Sequence, residues 1–137
     1  MKKTTVKLLD DIIRNEFNET RNLLLSQEKP IANKSLKRYV FDIRTKILTL
    51  CFINNDIKLA QKEKEFVNIM VTSNIIKLAN LIDKCSENVS KYYIGVYLNS
   101  TRDTCVESID KYYSEQIHKE FETTLAKLFE LYADMTS

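Results

Sequence analysis

The chain has 137 residues, 44% of them hydrophobic and 29% charged, with a formal net charge of +2. That is the composition of one ordinary globular domain, able to bury a core without disulfides or metal, and it excludes a disordered tail. One glycine and one proline are too few for the many tight turns of a sheet, so an all-α chain with few reversals is expected.

The opening segment "MKKTTVKLLDDIIRNEF" lacks the unbroken apolar centre of a signal peptide, because Asp10, Asp11 and Arg14 interrupt it. No stretch approaches the ~20 apolar residues of a membrane span. A cytosolic protein is expected, in the producing cell or in a host cell. Asn-x-Ser/Thr triplets begin at Asn18, Asn33, Asn88 and Asn99. Without a secretion signal they carry no glycan reading, and they are the one feature that fits a secreted helical cytokine.

Val6, Leu9, Ile13, Phe17 and Leu24, with Thr20 in the same row, recur in steps that predict a first helix. Thr4 or Thr5 is placed to cap it and Pro30 to end it. A second helix is predicted from an Asn33 cap, with Leu36, Val40, Ile43, Ile47 and Leu50 inward. Phe41, Leu48 and Phe52 widen that stripe, which suggests a central helix. The "NND" at 54–56 breaks the chain, with Asp56 as the next cap. The third helix opens on the polar "KLAQKEKEF" and continues through Val67, Val71, Ile75, Leu78, Ile82, Cys85 and Val89. Phe66, Met70, Ile76 and Ala79 give it a second apolar face, and "SENVS" at 86–90 offers a turn.

The stretch "KYYIGVYLNSTRDTC", Lys91 to Cys105, contains the only glycine. Its Tyr, Val and Ile favour a strand, but a lone strand is not stable. It reads as a short helix from Ser90 to about Leu98, with Gly95 as a pivot and a bend across "NST". Ser100 or Thr101 would then cap a last helix. That helix carries Val106, Ile109, Tyr113, Ile117, Phe121, Leu125, Leu128, Tyr132 and Met135 on one stripe, all expected inward. The predicted fold is a single domain over 1–137, an antiparallel bundle of four long helices plus one short one. No repeat period appears.

Chemistry-bearing patterns are sparse. One histidine and three scattered cysteines cannot build a zinc site or a paired di-iron motif. Glu115 and His118 form half of such a motif. Cys51 and Cys85 sit in apolar rows that keep thiols inert. Cys105, three residues after Arg102, is the best candidate for a reactive thiol, against a plain core role. Gly95 alone cannot form a phosphate loop. No catalytic residue, metal or cofactor is expected.

Two features have some shape. Lys29 to Lys46 holds six basic residues and one acid, while Asp103 to Asp134 holds eight acids and three lysines. Lys34, Lys37 and Arg44 form a ridge around Phe41 that fits phosphates, or the acidic last helix of the same bundle. Tyr92, Tyr93 and Tyr97 flank Gly95, and tyrosines favour contact surfaces. The expected function is a non-catalytic protein-binding module — an inhibitor, immunity factor, adaptor or chaperone — using Tyr92, Tyr93, Tyr97, Lys34, Lys37 and Arg44. A homodimer fits the charge polarity, and a nucleic-acid-binding regulator using residues 29–46 is the alternative.

Overall fold

The computed structural model describes residues 1–136 and is all-α apart from two very short strands. In chain order the elements are α1 (Lys3–Leu25), β1 (Ile31–Ala32), α2 (Asn33–Ile53), α3 (Gln61–Asp83), β2 (Asn88–Val89) and α4 (Lys91–Thr136). Each helix packs on the two that neighbour it in the ring: α1 on α2 and α4, and α3 on α2 and α4.

Partners step up one helix as they step down the next, so neighbours run antiparallel. Along α1 and α4, Arg21 bonds Asn99 and Asn18 bonds Arg102. Along α2 and α3, Lys37 pairs with Asp83 and Arg44 bonds Thr72. Short connections impose this arrangement, and burial of one stripe per helix drives it.

The stripes are those the periodicity predicts, with local shifts. Leu9, Ile13, Phe17 and Leu24 of α1, Leu36, Val40, Ile43 and Ile47 of α2, and Val67, Val71, Ile75, Leu78 and Ile82 of α3 are buried. Leu50 is not inward; Cys51 takes that place. Phe41 and Phe52 are exposed, because α2 has neighbours on two sides only and is not central. It lies diagonal to α4, so the basic helix does not pack on the acidic one.

Helix ends depart from the expected caps. Thr4 and Thr5 lie inside α1, and Ala32, not Asn33, precedes α2. Asp56 donates its N–H to Asn54 Oδ1 at 2.9 Å in a side-chain turn. The start of α3 is fixed from Glu63, whose Oε1 accepts the Ala60 N–H at 2.8 Å.

The largest correction concerns Lys91 to Cys105. There is no short helix and no bend: α4 runs for 46 residues without a break. Ser100 accepts from Thr104 within the helix and caps nothing. Gly95 has ordinary helical geometry, and no described residue has a positive φ. Among the described residues the count is four helices, one of them about twice the length of the others.

Two strands were not anticipated. Ile31 pairs with Val89 and Ala32 with Asn88, antiparallel, and the Asn33 N–H bonds the Glu87 carbonyl at 2.8 Å. This bridge ties the α1–α2 connection to the α3–α4 connection at one end of the bundle. The other end holds the start of α1 and the start of α3, where the Met1 ammonium meets Glu63 Oε2 at 2.6 Å and Gln116 Oε1 at 3.1 Å.

Candidate functional site

Helix length decides what α4 can expose. An α-helix rises 1.5 Å per residue, and α1 and α3 have 23 residues each. They cover α4 as far as Ile109, which is fully buried, and graze it at Tyr112, Tyr113 and Gln116. Tyr112 stacks on Phe66 of α3 with ring centres 4.2 Å apart. Every described residue from Ile117 onward is exposed. Residues 117–136 are therefore a rod about 30 Å long that leaves the bundle.

The apolar stripe does not stop where the bundle stops. Val106, Ile109 and Tyr113 lead into Ile117, Phe121, Leu125, Leu128, Tyr132 and Met135 at the same three-four rhythm. The first two are buried and Tyr113 half-buried, but the rest face water, contrary to the inward position expected of them. Their exposure runs from 39% at Leu125 to 84% at Met135, with Phe129 and Leu131 also open. Apolar patches of more than a few hundred Å² are rare on monomeric proteins and mark contact sites.

The tyrosines lie at the opposite, strand-bridged end. Tyr92 and Tyr93 are exposed and Tyr97 half-buried. Their rings form a run, edge-to-face at 5.6 Å and tilted at 5.8 Å. Tyr93 and Tyr97 border an open groove of about 330 Å³ with Cys85, Asn88 and Ser90. The Tyr97 hydroxyl meets the Cys85 thiol there.

The basic ridge is less available than its sequence implies. Lys37 is bound to Asp83, and Arg44 Nε donates to Thr72 Oγ1 at 2.8 Å. Lys34 alone of the three is exposed, and it lies at the other end of the ridge from Arg44. Lys34 and Lys37 lie at the same strand-bridged end as Tyr92, Tyr93 and Tyr97, since Asn33 bonds Glu87 and Lys37 pairs with Asp83, while Arg44 lies farther along α2 against Thr72.

Thiol environments reverse the expected order. Cys105 is fully buried, and burial pushes its thiol up to about 12, as it does for Cys51. Cys85 is only half-buried. His118 pairs with Glu122 at 2.9 Å on the exposed rod, not with Glu115. Among the described residues no cluster of three or more His, Cys, Asp or Glu is placed to hold a metal ion.

Two polar features escaped the sequence reading. Arg21 Nη1 donates to Asn99 Oδ1 at 2.7 Å, and Arg102 Nη1 donates to Asn18 Oδ1 at 2.7 Å and to Asn99 at 3.2 Å. This network sets the register of α1 on α4 and employs two of the Asn-x-Ser/Thr asparagines. Nearby, burial, then a hydrogen bond to Asp110 and that group's charge, pushes the Asp10 carboxyl up to about 7. Glu63 goes the other way. Burial opposes its charge, but the N-terminal ammonium and the Ala60 N–H outweigh that and hold it below the usual range.

Compared with known proteins, the chain matches no family model, no curated protein and no solved structure. No helix among the described residues is long and apolar enough to cross a membrane.

Proposed function

We propose that this is a non-catalytic protein-binding module of the inhibitor, immunity-factor, adaptor or chaperone kind, with the outer half of α4 as its contact arm. The observation that supports this is the uninterrupted apolar stripe over 117–136, held out on a rod with no covering helix. A rigid amphipathic helix laid on a helical or grooved protein surface is a recurrent recognition mode. Tyr92 and Tyr93 supply a smaller second face at the far end. The basic ridge of α2 contributes least, since Lys37 and Arg44 are already bonded to α3.

The test is capture from native lysate, with and without nuclease, by the intact chain and by a Phe121→Glu, Leu128→Glu variant. Nuclease-resistant capture that the variant loses is the expected result. Capture that nuclease abolishes, or that the variant retains, contradicts this reading.

A further inference from the structure

We infer that the arm's partner is the same arm of a second copy, lying antiparallel across it in a two-fold dimer. The inference rests on the protein-binding reading above and names the occupant of that surface. Ile117, Phe121, Thr124, Leu128, Leu131 and Met135 are spaced four, three, four, three, four. That is the alternation of a coiled-coil seam, where each side chain enters a hole on the facing helix. Leu125 and Tyr132 flank the seam on one side, so the face is wider than a minimal two-helix contact.

Antiparallel alignment fits this seam end to end. It sets Ile117 against Met135 of the other copy, Phe121 against Leu131 and Thr124 against Leu128. The match is self-complementary, as a closed two-fold contact requires. The area is also of the right order. Seven large apolar side chains on or beside the seam are open, Ile117 and Met135 among them, each leaving on the order of 100 Å² in water. Together they approach the ~800 Å² per partner of a standard interface.

Orientation follows from where the bundle sits. At 3.6 residues per turn the seam lies about a quarter turn around α4 from the face that packs on α1 and α3, so a helix laid on it runs beside the bundle's open end. Antiparallel copies put the bundles at opposite ends and bring each arm's tip to the other bundle's open end.

Charge agrees with that placement. Residues 117–136 carry four acids and two lysines. The open end carries exposed Lys2, Lys3, Lys58, Lys62 and Lys64 against Asp56 and Glu65. It also presents the N-termini of α1 and α3, whose dipoles favour an approaching acidic segment.

The test uses the purified full chain alone, at micromolar concentration. Sedimentation equilibrium should give the mass of two copies for the native chain and of one copy for the Phe121→Glu, Leu128→Glu variant, whose changes lie outside the bundle core. In a Cys85→Ser background, an equimolar mixture of Ile117→Cys and Met135→Cys chains should oxidise to a mixed dimer, while Met135→Cys chains alone should not cross-link. A native mass of one copy, a two-copy mass that survives both glutamates, growth beyond two copies, or cross-linking of Met135→Cys to itself overturns the inference. If the chain is monomeric yet its arm still captures a partner from lysate, only the self-pairing fails. If it is monomeric and captures nothing through the arm, both readings fail.

Discussion

Asp10 was legible in the sequence only as one of the charges that interrupt the N-terminal apolar run, because its partner, Asp110, lies a hundred residues away and periodicity is silent on which helices meet. Folding holds the Asp10 proton more tightly, at about 7 against an ordinary 3.8, with Asp110 and Asp11 adding to the effect and Arg14 opposing it. A raised folded-state pKa stabilises fully below the unfolded value and loses that contribution as pH rises through the folded one. The pair therefore weakens the bundle between about pH 4 and pH 7. Asp10→Asn should flatten that decline and raise stability at pH 8 by about 1 kcal/mol, the full linkage value being cut by solvent around the half-exposed pair. Urea midpoints at pH 4, 6 and 8 test it, and parallel curves for the two chains would contradict it. The cysteines teach the same lesson. Cys51 was readable as inert from its apolar neighbours, whereas for Cys105 the sequence set a core role against a reactive thiol beside Arg102, and its full burial between α4 and its neighbours decides for the core.

At the scale of elements, the buried stripes of α1, α2 and α3 were legible almost residue for residue, since a three-four rhythm of apolar side chains needs no knowledge of partners. Boundaries were less so. A glycine amid tyrosines and an "NST" triplet have poor helix propensity, but propensity is a weak prior against packing. Ile94, Leu98, Cys105 and Val106 are all buried on one face, and that continuous contact carries the helix through. Gly95 is then an unfilled position rather than a hinge. A Cβ there would meet only Leu25 Cδ1, at 3.9 Å, an ordinary contact. Gly95→Ala should stabilise the chain by roughly 0.5–1 kcal/mol. Thermal unfolding measures this, and a lowered midpoint would restore the bend. The rhythm's limit shows in the same helix: it marks Phe121 and Ile109 alike as apolar-face residues, although repeated steps of four carry Phe121 about 120° around the helix from Ile109 and α1 and α3 end before it.

For the whole molecule, the all-α class followed from one glycine and one proline, and the ring of antiparallel neighbours followed from short connections. The strand bridge between two loops did not, because two-residue pairings have no sequence period. Nor did the exposed arm, which belongs to no motif and arises from a mismatch of lengths, one helix of 46 residues among helices of 21 to 23. A helix of ~20 residues gains most of its stability from a packed face, so the arm should be firmly helical only when something covers it. Amide hydrogen exchange over residues 117–136, followed as protein concentration is raised from nanomolar to tens of micromolar, tests this most directly. Self-association through the arm predicts slow exchange that appears with concentration and vanishes in the Phe121→Glu, Leu128→Glu variant, while the buried stripes stay protected throughout. Fast exchange in the arm at every concentration, in both chains, would contradict it.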